Sequence, residues 1–543
     1  MPVVKLTTLV GRLPGDLWVQ SPEPAAATEI RRLCHDSRRV EAGDLFFALP
    51  GRRQDGSAYV GEAWRRGAAA VVVEGAGQVE RGAGPLLRAR SARRVMALMA
   101  ALFHGEPSQS LRLTGITGTD GKTSTTWFLH QILTSIGRRT VALGTLGILG
   151  EDLRLEPWVE EPSAPPADAA PARGGAVPAG TAGPGDEPAR LWRPTTPEAP
   201  LFEATLARLR DRGVQDVVAE VSSHALDQER VFGAQFAVVA LTHLSADHLD
   251  FHGDARAYRE AKAKLFHAGT RGGPLERRPV HAVLNVDDPF GVELAAARPP
   301  SETITYGREE RAQVRLLRAS AGARGIACNV DFAGHTVEMH TPVTGAFHLE
   351  NLLAAAAIAF SLGVAPQAVA AALPGLVPVP GRFELIRAGQ SFSVIVDYAH
   401  TADGLKRLLE AVRGLGIGRI VLVFGCGGDR DREKRGPMGE VAGRLADEVI
   451  VTSDNPRSED PAAIARAVAE GVARGGARGE IELDRRAALA LGLARMRPGD
   501  ALVAAGKGAE TVQVFADRVA AFDDREVLRG LLGALKASPG GGG

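Results

Sequence analysis

The stretch Leu113-Thr114-Gly115-Ile116-Thr117-Gly118-Thr119-Asp120-Gly121-Lys122-Thr123 reads as a short apolar strand running into a glycine-punctuated loop. Beyond it, Trp127, Phe128, Ile132, Leu133 and Ile136 recur at helical spacing. Strand, loop and helix in this order are what a phosphate-binding loop requires. Gly118 and Gly121 let backbone N–H groups turn toward phosphate oxygens, Lys122 neutralises β/γ charge, and Thr123 can hold Mg²⁺. The loop departs from the strict G-x-x-x-x-G-K-[ST] form: Ile116 occupies the first glycine position and Gly115 lies one residue earlier.

Outward from the loop, short apolar runs alternate with longer amphipathic stretches, the pattern of strands and crossover helices in a parallel α/β sheet. Val217 to Val221, Phe236 to Leu241, Ala282 to Leu284, Val394 to Val396, Ile420 to Phe424 and Val449 to Val451 are the predicted strands, and Leu352 to Phe360 reads as buried helix. Three runs end in polar clusters: Ser222-Ser223-His224, Ser245-Ala246-Asp247-His248 and Asp397-Tyr398-Ala399-His400. Ligands of open α/β sheets bind at the carboxyl ends of strands, so these clusters are candidate site residues.

The chain has 543 residues, 45% of them apolar, enough for several domains with real cores. Lys plus Arg and Asp plus Glu both total 64, so the net charge recommends neither nucleic acid nor an anionic membrane as a partner. Cys34, Cys328 and Cys426 are far apart and lack paired metal spacing, which predicts reduced thiols of a cytosolic protein. No secretory signal is expected from the Met1-Pro2-Val3-Val4-Lys5 start, and no run approaches the roughly 20 apolar residues that span a bilayer. Residues 156–194, rich in Pro, Ala and Gly, and the tail 538–543 predict disorder.

Behind the phosphate loop, Glu220 ends one strand, His248 follows another, and Tyr258-Arg259-Glu260-Ala261-Lys262 comes next. A strand-end carboxylate and a histidine can hold Mg²⁺ between a triphosphate and an acceptor carboxylate. Further on, Phe424 to Asp431, Ser453 to Arg457 and Ala505 to Glu510 each follow an apolar strand. Together they offer guanidinium, amide and carboxylate groups able to read both ends of an amino acid.

Taken in order, these motifs resemble the Mur ligase family. The resemblance also draws on Asp36-Ser37-Arg38, Gly43 to Phe46, Thr195-Thr196-Pro197, Asp247 to Gly253 and His348 to Asn351, and so covers nearly the whole chain. It implies an α/β protein of three domains: a smaller N-terminal one (1–108) for a uridine nucleotide-sugar, a central ATPase-like parallel sheet (109–380), and a C-terminal Rossmann-like one (381–537) that brings in an amino acid. ATP contacts are implied for Gly118, Thr119, Asp120, Gly121, Lys122, Thr123, Ser124 and Asn285. Thr123, Glu220, His248 and Lys262, the lysine that family members carbamylate, are implied Mg²⁺ ligands; Lys122, Lys262, Glu220 and His248 form the implied catalytic set. Ser37 is implied to meet the nucleotide-sugar, and Thr195, Thr196, Ser222 and Arg230 its muramyl-peptide portion.

The implied reaction is ATP-dependent addition of meso-diaminopimelate to UDP-N-acetylmuramoyl-L-alanyl-D-glutamate through an acyl phosphate, in peptidoglycan precursor synthesis. A cytoplasmic monomer with no nucleic-acid or membrane partner is expected. Asp454-Asn455-Pro456-Arg457 has the form found in relatives that add diaminopimelate instead of lysine, with Arg430, Gly506 and Glu510 completing the amino-acid site by resemblance. A sibling ligase adding lysine and a folylpolyglutamate-type ligase are the alternatives. Three features depart from the family pattern: Asp120 replaces a common Asn, Ala509 replaces a usual His, and the 156–194 insertion precedes Thr195.

Overall fold

The computed structural model describes residues 3–19, 28–51, 55–156, 158, 195–245, 247, 249–267, 281–322 and 324–537. Of the predicted insertion only Glu156 and Trp158 fall among them, and both the tail 538–543 and His248 lie outside the described residues. The chain divides into two compact units, 1–162 with 193–313 and 354–364 in one, 314–353 and 365–543 in the other.

Besides the two-stranded pairing of Val4–Lys5 with Glu29–Ile30, the first unit holds two larger sheets. Strands Arg32–Cys34, Asp44–Ala48, Ala70–Glu74 and Leu86–Ala89 pair in parallel in that order. Period-2 alternation sends Leu45, Phe47, Ala70 and Val72 into one buried cluster and Phe46, Ala48, Val71 and Val73 into another. The helix Ala92–Phe103 covers the first cluster with Val95, Met96, Met99 and Phe103.

The larger sheet places Thr140–Gly144, Asp216–Glu220, Arg112–Thr117, Val238–Leu241, His281–Asn285 and Thr303–Gly307 side by side, all parallel. Arg112–Thr117 therefore lies between two strands that come later in the chain, and a strand order that reverses beside it opens a crevice at the carboxyl edge. At the edge, Gly147–Leu149 and Leu155–Glu156 run antiparallel, because the turn Thr145-Leu146 is too short for a crossover helix.

The second unit centres on Glu384–Leu385, Ser393–Asp397, Ala501–Ala505, Ile420–Phe424, Glu448–Val451 and Gly479–Ile481, parallel except for the first. Both faces are covered: Leu422 and Phe424 meet Leu405, Met438 and Val468 on one side, while Val421 and Val423 meet Leu489 and Leu528 on the other. Here parallel pairing is not the rule throughout, since Val314–Gly322, Gly325–Phe332 and His335–Thr341 form an antiparallel meander joined by tight turns.

Helices Arg435–Leu445 and Pro461–Arg474 touch through glycines. A Cβ on Gly471 would lie 2.3 Å from the Gly436 carbonyl oxygen, and one on Gly439 2.2 Å from that of Val468. The chain is thus α/β, with three sheets among the described residues that are parallel at their centres. No helix among these residues is long and apolar enough to cross a membrane, and all three cysteines are free and buried.

Candidate active site

The phosphate loop leaves strand Arg112–Thr117 and enters the helix Lys122–Ser135 at its first residue. Both glycines are required. Gly121 caps the helix at φ +85°, and a Cβ on Gly118 (φ +155°) would collide with the Thr242 hydroxyl at 1.9 Å. The end of the neighbouring strand fixes the loop's shape: Thr119 N–H donates to the His243 carbonyl (2.6 Å) and the Thr242 hydroxyl to that of Asp120 (2.6 Å). Asn285 braces this arrangement from the next strand, donating to the Thr242 carbonyl at 2.9 Å and accepting from Asp287 N–H.

Lys122 folds back over the loop, its ammonium donating to the carbonyls of Gly118 (2.8 Å) and Thr119 (2.9 Å). Lys262, on the helix Ala255–His267, reaches the same Gly118 carbonyl at 2.7 Å and lies over the Tyr258 ring. Burial first, then the nearby Lys122 charge, hold Lys262 well below the ordinary lysine pKa, against opposing pulls from Asp247 and Asp120. Burial and a second cation thus both disfavour the ammonium form of this amine. Burial also raises the Tyr258 phenol, which shares a 2.9 Å hydrogen bond with the Thr119 hydroxyl.

Glu220 ends its strand 2% exposed, with its carboxylate accepting from the Thr123 hydroxyl (2.9 Å), Thr145 N–H (2.9 Å) and the Thr145 hydroxyl (3.1 Å). Gly144 makes room for it, since a Cβ there would sit 2.0 Å from Glu220 Oε1. Thr123 and Glu220 are hard oxygen donors at a helix N-terminus, a fit for Mg²⁺. Among the described residues no three His, Cys, Asp or Glu converge on a point, and Mg²⁺ characteristically takes several of its ligands from phosphate and water.

Thr195, Thr196, Ser222 and Arg230 gather around the same strand end. Thr195 and Thr145 share a hydroxyl hydrogen bond (3.0 Å), and the Thr196 hydroxyl donates to the Glu220 carbonyl (2.8 Å) and accepts from Ser222 N–H (3.2 Å). Arg230 donates to the Thr196 carbonyl (2.7 Å) and, through two nitrogens, to Gln228. Ser37 stands in the smaller sheet's first loop, its hydroxyl donating to Glu62 at 2.8 Å.

In the second unit, the strand ends bring the predicted amino-acid residues together. Asn455 donates to Glu510 (2.7 Å) and accepts from Val514 N–H (3.0 Å). Lys507, fully buried, donates to Glu510 (3.1 Å) and to the Val512 carbonyl (2.6 Å). A Cβ on Gly506 would lie 2.6 Å from Asp454 Oδ2, so glycine lets that carboxylate approach. Arg457 sits in the left-handed region at φ +54° and donates to the Gly428 carbonyl at 2.7 Å. Neither Arg457 nor Arg430 forms an ion pair among the described residues. Burial, then the neighbouring Arg430 charge, lower the Arg457 pKa. Arg457 and Arg430 near the carboxylates of Asp454 and Glu510 offer both signs of charge that a zwitterion needs.

Sequence reasoning missed Thr145, which grips Glu220, although its strand-end position follows the rule that found the others. It also missed Arg485 and Asp524, which form a bidentate pair at 2.7 Å with neither side chain exposed. Arg485 also donates to the carbonyls of Ala505 (3.0 Å) and Ser453 (3.4 Å), the residues just before Gly506 and Asp454. We expect Arg485→Met to lower the stability of this unit by about 3 kcal/mol, and adding Asp524→Leu to recover much of it, because the single change strands a buried charge and the double change removes it. Urea midpoints of both variants test this.

Three family models match the chain: Mur ligase family, catalytic domain over residues 29–104, Mur ligase middle domain over 116–359, and Mur ligase, glutamate ligase domain over 381–508. The chain therefore belongs to the Mur ligase family, a family of ATP-dependent amide-bond-forming ligases. It is 40% identical over 97% of its length to the UDP-N-acetylmuramoyl-L-alanyl-D-glutamate–2,6-diaminopimelate ligase of Geobacillus kaustophilus, covering 99% of that protein. The Geobacillus thermodenitrificans ligase of the same name is 38% identical, with 97% and 99% covered. A solved structure of a UDP-N-acetylmuramoyl-L-alanyl-D-glutamate–2,6-diaminopimelate ligase superposes with a TM-score of 0.63 at 28% identity, covering 99% of this chain and all of that one.

Proposed function

We propose that this chain uses ATP to join meso-diaminopimelate to UDP-N-acetylmuramoyl-L-alanyl-D-glutamate, in peptidoglycan precursor synthesis. The observation that carries the choice of amino acid is Arg457, held with Arg430 beside Asp454 and Glu510 and without an ion-pair partner among the described residues. Diaminopimelate brings a second carboxylate to that guanidinium; lysine would leave it desolvated and unpaired.

In the ATPase half, the N–H groups of the Gly118–Lys122 loop and the helix N-terminus receive the triphosphate. Lys122, which donates to the Gly118 and Thr119 carbonyls, moves to phosphate oxygens and offsets their growing charge. Thr123, Glu220, His248 and Lys262 would hold Mg²⁺, which supplies Lewis-acid stabilisation of the transferring phosphoryl group. In its uncharged form the Lys262 amine can add to CO₂: its lone pair bonds the carbon, a proton leaves the nitrogen, and a carbamate takes the amine's place.

The D-glutamyl carboxylate, placed by Thr195, Thr196, Ser222 and Arg230, attacks the γ-phosphorus and ADP leaves. Ser37 meets the nucleotide-sugar in the N-terminal domain, which we place at 1–108, with the central domain at 109–380 and the C-terminal domain at 381–537. The amine of diaminopimelate then adds to the acyl-phosphate carbonyl, and inorganic phosphate leaves as the amide forms. ADP release with meso-diaminopimelate, lysine and ornithine as competing acceptors tests this reading. A preference for diaminopimelate of roughly 10⁴-fold is expected; a preference for lysine would sink it.

A further inference from the structure

Two acidic residues near the muramyl-peptide residues occupy helix-end positions for which other residue types are better suited. The helix Ser223–Asp227 ends in a paired-carbonyl cap: Arg230 N–H donates to Ala225 O (2.9 Å) and Glu229 N–H to Leu226 O (3.3 Å). The residue after the cap must then be left-handed, a position that favours glycine, yet it is Glu229 at φ +58°. At the other segment, Glu198 is the N-cap of the helix Ala199–Asp211, where Ser, Thr, Asp or Asn is preferred, and its side chain makes no capping hydrogen bond.

Both carboxylates are turned instead toward consecutive arginines on the first turn of Ala92–Phe103. Glu229 pairs with Arg94 at 2.9 Å, whose guanidinium lies over the Phe232 ring at 4.5 Å. Glu198 lies 3.6 Å from Arg93 and 3.1 Å from Arg230. The arginine-bearing helix is itself tied to the smaller sheet, since Ala92 N–H donates to Glu74 at 2.9 Å. Its flank also touches the peptide-site segment closely: a Cβ on Gly233 would lie 2.3 Å from the Ala97 carbonyl oxygen. Glu198 follows Thr195-Thr196-Pro197 and Glu229 directly precedes Arg230, so each ion pair grips a segment that carries site residues.

We propose that Arg93 and Arg94 are positioning residues for the muramyl-peptide subsite, acting through Glu198 and Glu229 to set Thr196 and Arg230 from the nucleotide-sugar domain. The inference rests on the assignment of those residues to the nucleotide-sugar substrate. A left-handed glutamate is retained at backbone cost because its carboxylate is needed where Arg94 can reach it. Arg94 holds Glu229 through one charged hydrogen bond and Arg93 faces Glu198 at ion-pair distance, so a lysine at either position keeps the charge but not the planar guanidinium that sets its reach.

Steady-state kinetics of the full chain and its Arg93→Ala, Arg94→Ala, Arg93→Lys and Glu229→Gly variants test the proposal. KM for the nucleotide-sugar should rise about tenfold in both alanine variants and in Glu229→Gly, with Arg93→Lys between alanine and the parent. KM for ATP should stay within about twofold of the parent. Glu229→Gly relieves the backbone, so its urea midpoint should equal or exceed the parent's while its KM rises, a combination that loss of packing does not produce. An unchanged nucleotide-sugar KM in Glu229→Gly, or an equal rise for ATP, overturns the proposal. A parent that turns over the nucleotide-sugar while its variants are insensitive refutes only the positioning role; a parent inactive on that substrate refutes the functional reading.

Discussion

Replacing Glu220 by glutamine should lower turnover by about 10³-fold, close to 4 kcal/mol of activation free energy, while leaving the fold in place. The substitution preserves shape, and the Thr123 hydroxyl, Thr145 N–H and the Thr145 hydroxyl all donate to the carboxylate it replaces. Thr145 N–H can only donate, whereas the two hydroxyls can turn to accept from a glutamine NH₂, so the packing survives but the negative charge beside Thr123 would be gone. The Mg²⁺ concentration giving half-maximal ADP release should therefore rise together with the loss of turnover. A loss below about tenfold, with an unshifted Mg²⁺ titration, would remove Glu220 from the metal site. The Thr145→Val variant separates support from ligation: it should lose less, because Thr145 N–H and Thr123 still hold the carboxylate.

Glu220 shows what a sequence makes legible here. It could be found because a buried parallel strand is a short apolar run, and a charged residue ending one stands out against it; Asp216–Glu220 and Ile420–Phe424 formed as their patterns predicted. The phosphate loop was legible for a related reason, since Gly118 and Gly121 occupy backbone conformations that other residues avoid. Strand order was not. Arg112–Thr117 lies beside strands that come about 100 residues later, and nothing local encodes that pairing. The same holds for Arg485 with Asp524 and for Arg94 with Glu229, separated by 39 and 135 residues. Asn285, expected at the nucleotide, also braces the segment that shapes the loop, its amide spanning Thr242 and Asp287. The Val314–Thr341 meander, by contrast, alternates apolar and polar residues joined by short turns, a pattern of antiparallel hairpins where parallel strands were the general expectation.

Stability of the first unit should fall as pH rises from about 4.5 to 8, and Glu203→Gln should remove that fall. Glu203 lies on the helix capped by Glu198, is 1% exposed, and neither carboxylate oxygen has a hydrogen-bond partner among the described residues. The charged group that acts on it is another acid, Glu106, whose carboxylate lies 2.6 Å from the Arg12 guanidinium. Burial first, then Glu106, push the Glu203 pKa up to about 8 from an ordinary 4.5. The folded chain therefore keeps this proton where the unfolded chain has already lost it. Between the two values the folded state binds more protons, so each unit of pH removes up to about 1.4 kcal/mol of stability, and the loss levels off once the folded group ionises. Summed over the interval, the parent gives up on the order of 4–5 kcal/mol, an upper bound because a strained helix can open to water before it holds a buried charge. Glutamine fills the same volume and does not titrate. Urea unfolding of parent and variant should give similar midpoints near pH 5 and a clear advantage for Glu203→Gln at pH 8.5. Midpoints that fall in parallel across that range would mean that Glu203 is ionised in the folded chain, paired with a group its present surroundings do not supply.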